Sequence, residues 1–291
     1  MLTSLLFSVL APNLLNLTTP AVHGWLRALQ PGAVNLQTIT ATPANAPLPS
    51  ALLAVGLFLI CLLLLAWFSR QIALYLQFPV YALTRSQDAA AVGLFLIFFP
   101  GVIVHESAHW LAARLMGLRT GAFRVWPRRQ GKYIGLGSVS VQRSDPLRDS
   151  LVGIAPLLIG SALVALIGHR VFNVSIFGAE LAQGEYWRAL QVLPVALTRA
   201  DAAIWAYLLF AIANAMMPSA SDREPLKPVL LYGLGVGLIY LLLRLPIAPV
   251  AAALAFIMPG LQGLIAAFLF VIVLNFVVLS VLFLIRQLLP V

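Results

Sequence analysis

No Asp, Glu, Lys or Arg interrupts the chain between Ala51 and Phe68, or between Leu245 and Ile285. Uncharged runs of that length can cross the hydrocarbon core of a bilayer, where an α-helix satisfies every backbone hydrogen bond within itself. The rest of the chain follows suit. Of 291 residues, 62% are hydrophobic and 9% charged, and the mean hydropathy is +0.99. Soluble domains do not read that way, so the expected fold is an all-α polytopic membrane protein.

Six spans are expected, at about 51–68, 91–116, 151–168, 203–217, 229–243 and 261–285. The first is expected to end at Ser69-Arg70. Pro246 to Pro259 reads as a re-entrant turn or an extension of the sixth span. Residues 1–17 have no basic leader and no clear cleavage site, and fit a short membrane-surface or re-entrant segment better than a signal peptide. The Pro-, Thr- and Asn-rich stretch to residue 50 reads as an irregular tether. The organisation expected is therefore 1–50 amino-terminal segment, 51–90 first span and connecting loop, 91–223 three-helix core, and 224–291 carboxy-terminal spans. Cys61, the only cysteine, cannot form an internal disulfide and reads as packing.

Charge is concentrated in one place. From Arg114 to Asp149 eight basic residues face only Asp145 and Asp149, which predicts a cytoplasmic loop beside anionic lipid. Alternation then puts 170–202 outside, with 222–227, Arg286 and the amino terminus inside. A multi-pass protein of the cell membrane is expected. No nucleic-acid-binding module accompanies the basic loop, so nucleic acid is not an expected partner. Residues 122–126 and 133–141 alternate with period two around Pro127–Lys132, which predicts a β-hairpin or small sheet at the cytoplasmic face.

Within the second span lies Val104-His105-Glu106-Ser107-Ala108-His109-Trp110. On a helix, His105 and His109 project from one face one turn apart, the geometry two nitrogens need to hold one Zn²⁺. Glu106 is offset enough to accept a proton from water activated by the metal without being a ligand. The bland alternative is a polar cluster gluing helices together. Ionisable groups within a bilayer are costly, however, and point to function by default.

A third ligand is needed to complete a catalytic zinc site. The best candidate is Asp222, beyond Pro218 at the inner mouth of the fourth span, where the chain is free to unwind. The alternative for Asp222 is a solvated residue paired with Arg223 or Lys227. Asn214, two turns earlier, is placed to hydrogen-bond substrate backbone or a developing oxyanion. Asn275 and Gln262 read as interhelical hydrogen-bonding groups.

A His-Glu-x-x-His helix in a membrane, followed by an Asn and, eight residues on, an Asp around a proline, resembles the site-2 protease family of intramembrane zinc metalloproteases. The resemblance covers residues 91–223 and the six-span layout. It implies His105, His109 and Asp222 as zinc ligands, Glu106 as general base, Asn214 near the scissile bond, and a membrane-anchored protein substrate cut near the cytoplasmic side. Gly153–Leu157 loosely matches a small-residue-Gly-Pro turn of the family. The usual Asn-x-x-Pro-x-x-x-Leu-Asp-Gly ending is altered here: Pro218 is four residues after Asn214, and Asp222 lies between Ser221 and Arg223. A rival function is a metal-ion or proton transporter using the same cluster as a relay, and a third is a scaffold that has kept the site without turnover.

Overall fold

Capping residues set the boundaries of the motif helix. In the computed structural model, which describes residues 48–130, 133–135, 137–198 and 200–288, it runs from Gln87 to Leu115 (α2). Ser86 caps its start by accepting the Ala89 amide at 3.2 Å. Its end is closed by Gly117 at φ +73°, whose left-handed backbone lets the Leu118 amide reach back to the Ala113 carbonyl. Most of the amino-terminal segment, residues 1–47, lies outside the described residues.

The helix before it, α1 (Leu48–Thr84), does not stop at Ser69-Arg70 as expected. None of Ser69, Arg70 or Gln71 breaks a helix, and the chain continues for another four turns to a two-residue link, Arg85-Ser86. The connecting loop expected up to residue 90 is thus mostly helix. The remaining helices are α3 (Pro146–Val171), α4 (Val174–Ala182), α5 (Tyr186–Ala196), α6 (Ala202–Ala215), α7 (Ala220–Arg223), α8 (Leu226–Leu242) and α9 (Ala248–Leu288). The apolar run from Pro246 to Pro259 is an extension of the last span, with Pro259 inside α9. Asp145 caps α3 with its carboxylate on the Leu147 and Arg148 amides, and these bonds, that from Arg148 foremost, hold its carboxyl below the usual range.

Among the described residues, five helices are long and apolar enough to cross a membrane, namely α1, α2, α3, α7–α8 together and α9, and the protein is multi-pass. The remaining expected span, the fourth, is α6, which at 14 residues rises about 21 Å, short of a full crossing. It is instead the centre of the bundle, touched by α1, α2, α3 and α9. Leu209, Ala211 and Ala213 are fully buried there. Lipid provides no hydrophobic drive between helices, so such contacts depend on close packing of small residues. Gly101 of α2 faces the Ala211 carbonyl so closely that no side chain fits between them.

The basic loop folds as expected into β structure, in two short pieces. Strand β1 (Thr120–Arg124) pairs antiparallel with β4 (Ser138–Val141), and β2 (Arg128–Gln130) with β3 (Tyr133–Gly135). The Pro127–Lys132 separator was expected to be loop, but residues 128–130 are strand. β1 and β4 rest on α2, and the second edge of β4 has no strand partner among the described residues.

Candidate metal centre

His105 and His109 lie one turn apart near the end of α2, and Asp222 on the short helix α7 closes on them. The His105 Nε2 and His109 Nε2 atoms are 3.2 Å apart. His105 Nε2 is 3.6 Å from Asp222 Oδ2, and His109 Nε2 is 3.3 Å from Asp222 Oδ1. An ion held tetrahedrally at roughly 2.0–2.1 Å from its ligands sets them about 3.3 Å apart. Taken to a different Asp222 oxygen from each ring, these separations come close to that spacing, and the three residues form a group that could hold a metal ion.

The orientation of each ring gives a second test. His105 Nδ1 is 2.8 Å from the Ala215 carbonyl, and His109 Nδ1 is 2.9 Å from the Val152 carbonyl. A carbonyl only accepts, so each Nδ1 carries the proton and each Nε2 presents its lone pair to the other. In the neutral rings these facing lone pairs repel, and a cation there, a metal ion or a proton held against Asp222, relieves the repulsion. The donor set fits a metal on this ground as well.

These carbonyls are available because of where helices end or lose a donor. In α3, residue 156 is proline, so Val152, four residues earlier, has no amide to receive, and the imidazole of His109 takes the place. Pro218 does the same to Asn214, whose carbonyl accepts the Ser69 hydroxyl of α1 at 2.7 Å. Ala215 is the last residue of α6, where carbonyls go unpaired. Replacing Pro156 by Ala restores a competing amide to Val152. We expect metal affinity to fall about tenfold or more, with no loss of thermal stability, in chelator competition and melting measurements.

Asp222 is aimed by its own turn. Ser219 caps α7, its hydroxyl accepting the Asp222 amide at 3.3 Å while Asp222 Oδ2 accepts the Ser219 amide at 2.7 Å. This reciprocal box fixes the carboxylate toward the rings. Gly153 makes room for it, because the α7 backbone at Asp222 lies directly over that residue. Gly153–Leu157 is the interior of α3, not the turn expected, and its contribution is this close approach together with the freed carbonyl of Val152.

Glu106 is buried beside the rings, in a cleft it shares with Leu94, Phe98 and Val102 of its own helix. Gly137, just before β4, packs against it so tightly that a Cβ there would stand 2.8 Å from Glu106 Oε1. Asn214 lines the same cleft, but its amide is engaged. Nδ2 donates to the Phe210 carbonyl at 2.8 Å and to Asn275 Oδ1 at 2.9 Å, and Asn275 Nδ2 returns a bond to Asn214 Oδ1 at 3.2 Å. An oxyanion role for Asn214 requires that pair to open. Asn275, fully buried on α9, is the interhelical partner expected of it. His169 is not part of the group: it sits near the end of α3 against Gly263.

Ser69, Val152 with Pro156, and Gly137 were not singled out for these contacts by the sequence. Only the Ser219-x-x-Asp222 box was there to be read as a helix start. No family model, curated protein or solved structure matches the chain.

Proposed function

We propose that this chain is an intramembrane zinc metalloprotease of the site-2 protease type, cutting membrane-anchored proteins near the cytoplasmic side. The observation that carries the reading is the placement of Glu106 beside two imidazoles and a carboxylate grouped closely enough to hold a metal ion, in a cleft walled on one side by apolar residues. Two imidazole nitrogens and one carboxylate oxygen form a donor set that suits zinc and leaves a fourth position open. His105, His109 and Asp222 would hold it. When bound there, the ion would supply Lewis acidity, activating water and polarising the scissile carbonyl.

The remaining steps belong to the chain. Glu106 takes the proton from the attacking water at its carboxylate and passes it to the amide nitrogen as the peptide bond breaks. A substrate helix must first unwind, and in lipid its freed backbone groups need partners. The edge of β4 that has no strand partner among the described residues provides them by accepting the segment as an added strand. The buried side of the cleft, at Leu94, Phe98 and Val102, shields the unwound apolar part from water.

The test is cleavage in proteoliposomes by the purified full chain. A membrane-anchored reporter should be cut, the cut should stop with a chelator, and stoichiometric zinc should restore it. His105→Ala should be inactive. Ion flux without any cleavage of a panel of anchored reporters would overturn the reading in favour of a transporter.

A further inference from the structure

The metal centre opens on two sides. The cleft with Glu106 has a volume of about 440 Å³, and a second cavity of about 480 Å³ lies beyond β4. The two share His109, Val139, Ser221 and Asp222 in their walls. β4 lines both: Gly137, Ser138 and Val139 face the first, and Val139, Val141 and the following Gln142 the second. An extended chain, rising about 3.3 Å per residue along β4, would therefore pass from one to the other across the ligands.

The two cavities differ in chemistry. The first has an apolar wall of Leu94, Phe98 and Val102, and Glu106 is its only charged side chain among the described residues besides the ligands. The second is lined, besides Asp222, by three charged side chains, Arg143, Asp149 and Glu224. Among the described residues, neither Asp149 nor Glu224 has a cationic group within 4 Å, whereas Asp145 and Glu185 each have an arginine, Arg148 and Arg188. Asp149 Oδ1 does accept the Ser144 amide at 3.0 Å, and at the start of α3 it also suits the helix dipole. That accounts for its position but does not neutralise it. Beside the most basic stretch of the sequence, this cavity thus carries more negative charge than positive.

We propose that this second cavity is a substrate subsite that reads the polar flank of the cleaved segment and takes a basic side chain, Lys or Arg, on Glu224 and Asp149. The inference rests on the protease reading above. It supplies a selection rule: the substrate segment is apolar where it enters beside Glu106 and basic within a few residues beyond the scissile bond. Cytoplasmic flanks of membrane helices are rich in Lys and Arg, so the chemistry matches what such a site would meet.

The experiment uses anchored peptides identical but for one flank residue, Lys, Gln or Glu. Affinity is read by fluorescence anisotropy on zinc-loaded Glu106→Gln protein, which binds without turnover, and KM and kcat are read on the enzyme with Glu106 intact. The Lys peptide should bind about fivefold tighter than the Glu peptide, the scale of a partly exposed ion pair, with the difference in KM and not kcat. The preference should shrink in Glu224→Gln and invert in Glu224→Lys, an exposed change that the fold tolerates. Equal affinities for the three peptides, or a preference unmoved by Glu224→Lys, would overturn the subsite. Charge-selective binding without hydrolysis would leave the subsite standing and sink the protease reading, so the two fail separately.

Discussion

On the protease reading, Glu106→Gln should abolish peptide hydrolysis and leave the metal bound at one ion per chain. The amide is nearly isosteric with the carboxylate it replaces, so the packing of Gly137 against the side chain is retained. The ligand atoms are untouched, because His105, His109 and Asp222 are placed by Ala215, Val152 and Ser219 and not by Glu106. What is lost is the only buried carboxylate, among the described residues, beside the ligands that could accept a proton without being a ligand itself. General-base removal costs about 10²- to 10⁴-fold in rate, and here no other carboxylate lines the Glu106 cleft except the ligand Asp222. The measurement pairs metal analysis of the purified variant with single-turnover cleavage. Retained metal with full activity would remove Glu106 from the chemistry; loss of both would make it a structural residue. Of all substitutions at the site, this one separates an enzyme from a scaffold most cleanly.

The sequence made the class and the ring pair legible because both are local. Apolar runs announce membrane helices by length alone, and His105 and His109 share a face through the helical period. Asp222 could be placed from the sequence only as a candidate, since its approach depends on a tertiary contact between α7 and α3 at Gly153. The end of the first helix was misread because Ser69-Arg70 resembles a membrane boundary by polarity. In the folded chain Ser69 points into the bundle and serves the Asn214 carbonyl. The shortness of α6 was equally hidden. Hydropathy does not distinguish a helix buried among four others from one that crosses lipid, and only the early stop before Pro218 makes the difference. Asn214 illustrates the opposite limit: its polar side chain in an apolar helix was correctly conspicuous, but whether it faces substrate or Asn275 is decided 61 residues away.

Asp222→Ala empties the metal site, while Ser219→Ala only weakens it. The first change removes one of three ligands, leaving two imidazoles 3.2 Å apart with no carboxylate to balance the ion's charge. Loss of a ligand should lower affinity on the order of a hundredfold or more, enough for the metal to be lost on purification. The second change deletes the hydroxyl that accepts the Asp222 amide but keeps the Ser219 backbone N–H, whose bond to Asp222 Oδ2 is the shorter of the two. Half of the box survives, so the carboxylate stays near the rings with more freedom. A roughly tenfold loss is expected, the usual scale for groups that orient a ligand. Metal content by mass spectrometry and affinity by chelator competition distinguish the three proteins. Full occupancy in Asp222→Ala would mean that the ion is held elsewhere, and that the resemblance of this loop to a ligand-bearing turn is coincidental. A graded series, with wild type tightest, Ser219→Ala intermediate and Asp222→Ala empty, ties the strength of the site to how firmly α7 aims a single carboxylate. Such a series would also explain how the altered spacing around Pro218 is tolerable: the capping box, not the position of the proline, would deliver the third ligand.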